Sequence, residues 1–213
     1  MKLGLLGGTF NPIHLAHLRI AEEAREAAAL DQVLFIPAAD PPHKPLAGDV
    51  SFELRAAMVQ LAIAANPAFG FSDIEARRGG KSYTVDTLTA LRIERPCDEL
   101  YFIIGSDSFL ELGLWHRYEA IFPLASLIVL ERPEKEITEP LQQLPEAVRD
   151  QFVQESGNLL RHSSGTSIRF VIGTRLDISS SQLRERIARK QSIRYLVPPE
   201  IESFIIQKGL YQP

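Results

Sequence analysis

Apolar positions in this chain alternate between short unbroken runs and longer stretches with a three-to-four spacing. Lys2 to Leu6 is the first run and stops at Gly7-Gly8. Leu15, Leu18, Ala21, Ala24 and Ala28 then recur at the spacing of a buried helical stripe. Gln32 to Pro37 ("QVLFIP") reads as a second buried strand closed by proline. Strand, helix and strand in such quick succession predict a parallel βαβ unit with a right-handed crossover.

The alternation continues. A proline-rich loop, "AADPPHKPLAGD", precedes a helical stretch from Phe52 to Ala65, and "FGFSDIE" is a third strand candidate. Tyr83 to Ile93 has helical spacing; "LYFIIG" (Leu100 to Gly105) is the strongest strand signal, and "SLIVLERP" is another, stopped by Pro133. Glu134 to Asn158 is polar and reads as a helical or irregular surface insertion. "IRFVI" (Ile168 to Ile172) is a late strand, and helices are expected from Ser180 and after Pro198-Pro199. The pattern predicts one α/β domain over residues 1–213: a doubly wound, mostly parallel sheet flanked by helices, with a small helical C-terminal portion from about residue 179. Ligands of such sheets bind beyond the carboxyl ends of the strands. "GGTFNPIH", "PAADPPHK" and "GSDS" fall at those ends, which suggests a common site.

Composition narrows the function classes. With 213 residues, 45% of them hydrophobic and 23% charged, the chain can bury a substantial core. A net charge of −4 supplies no global basic field, so neither nucleic acid nor an anionic membrane is expected as partner. An anionic small molecule would need a local cluster of donors. The single cysteine, Cys97, excludes an intrachain disulfide and a cysteine-based zinc site, which fits a reducing, cytoplasmic setting. The N-terminal "MKLGLLGG" has neither the apolar length nor the cleavage site of a signal peptide, and no apolar run approaches a membrane span.

The candidate chemistry begins at "GLLGGTFNPIHLAHLRIAEEA". A glycine pair after a strand lets backbone approach a ligand closely, and a helix start beyond it offers unpaired amides that suit a phosphate. The stretch is neither a G-x-G-x-x-G fingerprint nor a Walker A loop. His14 and His17, at i and i+3, share a helical face if the helix has begun by His14. Three readings stand: a capped helix start with two incidental histidines, a zinc pair lacking further ligands, and a pair of donors for phosphate oxygens. At the other end of the chain, "ISSSQLRERI" contains a capping box in Ser179 and Gln182. That leaves Ser180, Ser181 and Arg184 to supply hydroxyls and a guanidinium at a helix N-terminus, a combination suited to polyphosphate.

Together, "GGTFNPIHLAH" and "ISSSQLRERI" resemble the two signatures of the nucleotidyltransferase superfamily. "IPAADPPHK", "KSYTVDTL", "FIIGSDSF", "LWHRYEAI" and "YLVPPEIESFIIQKGLY" resemble, in order and spacing, its bacterial nicotinate-nucleotide adenylyltransferases. The likeness spans essentially the whole chain and is weakest from Glu134 to Asn158. Asn11 stands where that family commonly has aspartate, and Ala16 where it has glycine.

The resemblance implies a Rossmann-like fold and adenylyl transfer from ATP to nicotinate mononucleotide, giving deamido-NAD and pyrophosphate. It implies that ATP meets Gly7, Gly8, Thr9, Phe10, His14, His17, His43, Lys44, Gly105, Asp107, Ser179, Ser180 and Arg184. His17, His14 and Arg184 would be catalytic, with His17 the foremost. Thr84, Trp115 and Tyr118 would meet the mononucleotide, Trp115 by stacking on the pyridine ring. Mg²⁺ would be carried by the ATP phosphates, with no metal site of the protein's own. A homo-oligomer is allowed, and the sequence does not fix its size.

Overall fold

The computed structural model describes residues 1–41, 50–131 and 137–212. His43 and Lys44 therefore lie outside the described residues. The described strands are β1 (Lys2–Gly8), β2 (Gln32–Pro37), β3 (Phe69–Phe71), β4 (Glu99–Gly105), β5 (Ser126–Glu131), β6 (Phe152–Ser156), β7 (Leu159–His162) and β8 (Ser167–Ile172). They join one sheet in the order β3-β2-β1-β4-β5-β8-β7-β6. The β3-β2-β1-β4-β5 portion has the strand order of a doubly wound nucleotide-binding sheet. The described helices are α1 (Leu15–Ala28), α2 (Phe52–Ile63), α3 (Ile74–Arg78), α4 (Thr84–Glu94), α5 (Ser106–Leu110), α6 (Pro140–Gln143), α7 (Glu146–Arg149), α8 (Ser180–Ala188) and α9 (Pro199–Lys208). Among the described residues no helix is long and apolar enough to cross a membrane.

The chain divides into two compact units, neither a continuous stretch of sequence. The first comprises Met1–Leu6, Ile20–Val33 and Tyr83–Arg175. Here β1 runs parallel to β4 with Leu5 opposite Phe102, β4 parallel to β5, and β5 parallel to β8. Leu3, Leu5, Ile103, Ile128 and Val129 are buried. Parallel strands covered on both faces require such continuous apolar runs, which is why these strands are so plain in the sequence. Gly4 is part of this packing. A Cβ there would lie 2.7 Å from Leu30 Cδ1, 3.0 Å from Val33 Cγ2 and 3.2 Å from Ile103 Cδ1.

Beyond β8 the sheet turns antiparallel, as β8 pairs with β7 and β7 with β6. This corrects the expectation for Glu134 to Asn158. The described part of that stretch holds α6 and α7 but also the whole of β6. Phe152 is its anchor. The ring is buried, meets Phe122 edge-on with centroids 5.1 Å apart, and lies 4.8 Å from the buried His162 ring. The third strand candidate is corrected too: only Phe69–Phe71 of "FGFSDIE" is strand, and Ile74 begins α3.

The second unit comprises Gly7–Arg19, Leu34–Ser82 and Leu176–Pro213. It holds α2, α3, α8 and α9, and α2 packs against α9. Helix α8 opens with the expected capping box: Ser179 Oγ accepts from the Gln182 amide, and Gln182 Oε1 accepts from the Ser179 amide. Helix α9 starts at Pro199 and stops at Gly209 in the left-handed region (φ 60°), the expected placement of these two residues.

Replacing Gly4 by valine is expected to cost about 1–3 kcal/mol through overpacking, because its neighbours are buried and close. Urea unfolding of the variant checks this.

Candidate active site

β1 ends in Gly7-Gly8, and the chain then turns sharply before α1. Phe10 is buried with φ 46°, in the left-handed region that side chains rarely adopt, and the Asn11–Pro12 peptide is cis. Glycine at position 8 makes room for this turn, since a Cβ would lie 3.1 Å from Phe10 Cζ. A phenylalanine in the left-handed region must be over-determined by its surroundings. Three distant side chains hold it by its carbonyls. Arg55 Nη1 of α2 donates to Thr9 O at 2.7 Å, Arg184 Nη1 of α8 donates to Asn11 O at 2.7 Å, and Ser180 Oγ donates to Pro12 O at 2.9 Å. The buried Tyr211 hydroxyl adds a fourth tie, donating to Asn11 Oδ1 at 2.6 Å. Burial raises the Tyr211 pKa above the ordinary tyrosine value, so the phenol keeps its proton and remains the donor.

The two histidines meet just beyond this turn. Helix α1 begins at Leu15, so His14 precedes it, and its carbonyl accepts from the His17 amide at 3.0 Å. The Leu15 amide is taken up by Leu196 O at 3.1 Å. The imidazoles stack with centroids 3.7 Å apart and planes inclined by 25°, and Phe10 meets His17 edge-on at 5.0 Å. His14 is buried, and its Nδ1 has no hydrogen-bond partner.

One hydrogen bond fixes the chemistry of His17. Its Nδ1 accepts from the His14 amide at 3.2 Å, so in the neutral ring the proton sits on Nε2. His17 is thereby set as an Nε2–H donor. Burial lowers the His14 pKa to about 4. Burial, and then the closeness of the His14 ring, hold His17 well below the usual histidine value. Both rings are therefore neutral at pH 7, and stacking is compatible with that state. Two charged rings at this distance would repel.

The second unit thus brings together Gly7, Gly8, Thr9, Phe10, His14, His17, Ser179, Ser180 and Arg184. Ser180 and Arg184 are not idle donors here, for each holds a carbonyl of the turn, and Arg184 Nη2 also meets Ser181 Oγ at 3.2 Å. The first unit carries the other candidates. Gly105 is exposed at the end of β4, and Asp107 is exposed in the first turn of α5. Thr84 opens α4, where a helix amide has no intrahelical acceptor. Trp115 is half-buried after a 3₁₀ turn (Leu112–Leu114), edge-on to Phe102 at 6.2 Å. Tyr118 starts another 3₁₀ turn, to Ile121, and is half-buried. Between the two aromatics His116 packs on Tyr83, with centroids 4.3 Å apart. Among the described residues no group of three or more histidine, cysteine, aspartate or glutamate side chains is arranged to hold a metal.

Sequence reasoning missed Arg55 and Tyr211. Arg55 had a signal: within "FELRAAMV" it shares the buried stripe of Ala56, Val59 and Ile63, where an arginine must be paired or functional. Tyr211 had none, since its partner is 200 positions away.

Comparison with known proteins now decides the family. Residues 5–186 match the model of the cytidylyltransferase-like family. A probable nicotinate-nucleotide adenylyltransferase of Trichlorobacter lovleyi is 92% identical over the full length of both chains. One of Pelobacter propionicus is 56% identical, covering 99% of this chain and 98% of that one. The chain belongs to the cytidylyltransferase-like family, among its nicotinate-nucleotide adenylyltransferases. The fold agrees with solved structures. Nicotinic acid mononucleotide adenylyltransferase of Plasmodium falciparum, complexed with NaAD, superposes with a TM-score of 0.76 at 20% identity, covering 99% of this chain and 97% of that one. Asn11 and Ala16, the two positions expected to depart from the usual first signature, are both accommodated. Asn11 uses its side-chain oxygen on Tyr211, and Ala16 is buried at the start of α1.

The histidine pair makes folding stability depend on pH with a definite sign. Unfolded histidines take up protons near pH 6.5, whereas folded His14 does so near 4 and His17 well below 6.5. The contribution is complete above about pH 6.5 and is lost progressively as pH falls towards the folded values. The melting temperature of wild type is therefore expected to drop more between pH 7 and 4.5 than that of a His14→Gln/His17→Gln double variant. Parallel pH profiles of the two proteins would contradict the assignment.

Proposed function

We propose that this protein transfers the adenylyl group of ATP to nicotinate mononucleotide, giving deamido-NAD and pyrophosphate. The observation that carries the reading is the neutral, stacked histidine pair, with His17 fixed as an Nε2–H donor beside a turn held by the C-terminal signature. The relatives named above support the choice of substrates.

An oxygen of the mononucleotide phosphate attacks the α-phosphorus of ATP, and the bond from that phosphorus to the β-phosphate oxygen breaks. The acceptor is already largely ionised at neutral pH, so no general base is required. Catalysis then consists of aligning two anions and stabilising the charge that moves onto the leaving pyrophosphate. His17 Nε2–H donates to a phosphate oxygen in the transition state, with His14 stacked against it. Arg184 keeps guanidinium N–H groups beyond those used on Asn11 and Ser181, and we assign these and Ser180 to the triphosphate. Gly7, Gly8, Thr9, Phe10 and Ser179 supply backbone to the same site, with His43 and Lys44 assigned alongside them. Gly105 and Asp107 are assigned to the adenosine portion. Trp115, Tyr118 and Thr84 are assigned to the mononucleotide, the Thr84 amide favouring a carboxylate over a carboxamide on the ring.

Magnesium fits this donor set as an ion carried by ATP. The groups gathered at the turn are imidazoles, a hydroxyl and a guanidinium, which address phosphate oxygens rather than a cation. When bound, the ion neutralises charge on the polyphosphate.

Purified protein with Mg²⁺, ATP and nicotinate mononucleotide is expected to form deamido-NAD with release of pyrophosphate, and to use nicotinamide mononucleotide less well. His17→Ala should lower kcat by about 10²–10³, as loss of one preorganised donor does, while changing ATP affinity by less than tenfold. Absence of dinucleotide from either acceptor would refute the activity. Equal losses in turnover and ATP affinity would refute the role of His17.

A further inference from the structure

Arg55 is a charged side chain with no exposed surface, the largest side chain so deeply buried among the described residues. It projects from α2, whose other buried positions are Ala56, Met58, Val59 and Ile63. Burying a guanidinium in such company costs free energy unless the charge is used. Among the described residues its side chain makes one hydrogen bond, from Nη1 to the Thr9 carbonyl at 2.7 Å, and Nε and Nη2 have none; the guanidinium carbon lies 5.7 Å from the centre of the Phe52 ring, and the carboxylates of Glu53 and the buried Glu75 act favourably on its charge. A hydrophobic residue could fill this space. What it would not do is hold that carbonyl.

Thr9 immediately precedes the left-handed Phe10, whose ring meets His17 edge-on at 5.0 Å. We propose that Arg55 is a positioning residue for adenylyl transfer: by pinning the Thr9 carbonyl it fixes the Phe10 conformation, and through the Phe10 ring the orientation of the His17 imidazole. Arg184 and Ser180 hold the carbonyls of Asn11 and Pro12, and Arg55 holds that of Thr9 from within the core. Arg55 has no exposure through which to meet substrate, so it acts only by way of the turn. The inference rests on the reading of His17 as a transition-state donor.

The test compares Arg55→Met, Arg55→Lys and Val59→Ala with wild type, in ATP and nicotinate mononucleotide saturation kinetics and thermal melts. Val59 is buried one turn along the same helix, so its truncation reports loss of packing in α2. Arg55→Met is expected to lower kcat by about 10–100-fold, as small misplacements of catalytic groups do, with KM for ATP changed less than threefold. Arg55→Lys keeps a donor within reach of the carbonyl and should recover at least half of that loss on a logarithmic scale. Should the methionine variant fail to fold, Arg55→Gln, too short to reach the Thr9 carbonyl, takes its place, and a kcat more than threefold below that of Val59→Ala supports the proposal. Threefold or less overturns it, as does a methionine variant that folds with kcat within threefold of Val59→Ala. Loss confined to KM, or a lysine variant no better than methionine, also overturns it. If wild type itself forms no dinucleotide, the assigned reaction fails, and that outcome is separate from all of these.

Discussion

The histidine pair of the candidate site depends on three carbonyl oxygens being held in place. The turn from Gly8 to Pro12 contains a left-handed phenylalanine and cannot keep its shape by local preference. Arg55, Arg184 and Ser180 each donate to one of its carbonyls, and two of the three are charged donors with short contacts. Fixing the turn fixes Phe10 and the start of α1. The His14 amide then reaches His17 Nδ1, and the imidazole proton is placed on Nε2.

This arrangement explains why the two signatures, so far apart in sequence, belong together. Ser180 and Arg184 look like spare phosphate ligands when read in isolation. In the folded chain they also hold the N-terminal turn, so the segment that would contact a nucleotide contributes to shaping the segment that would contact its phosphates. Tyr211 extends the same dependence almost to the C-terminus, through a buried hydrogen bond to Asn11. An aspartate at position 11 would accept from that hydroxyl equally well. Asparagine therefore makes this contact without bringing a charge to the turn.

Much of the fold could be read from the chain because buried parallel strands must be continuously apolar. β2, β4 and β5 were visible for that reason, whereas β8 buries alternate residues and showed through its β-branched and aromatic content. β6 was not, since only Phe152 of its five residues is buried and the remainder face solvent. In "FGFSDIE" the apolar spacing fits strand and a single helical turn alike, and the short α3 won. The histidine pair was visible by spacing, but its stacking was not, because His14 stands before the helix rather than on it. The contacts of Ser180, Arg184, Arg55 and Tyr211 join positions dozens to hundreds of residues apart, and no local pattern encodes them.

His17 is proposed to act as a neutral Nε2–H donor to phosphate. Long-range ¹H–¹⁵N NMR of the histidine side chains, recorded with and without Mg²⁺-ATP, tests it most directly. The account predicts the Nε2–H form of His17 in the free protein at pH 7, and a downfield shift of that proton when the nucleotide binds. A charged ring or the Nδ1–H form in the free protein would contradict it. So would an Nε2 proton unmoved at saturating nucleotide.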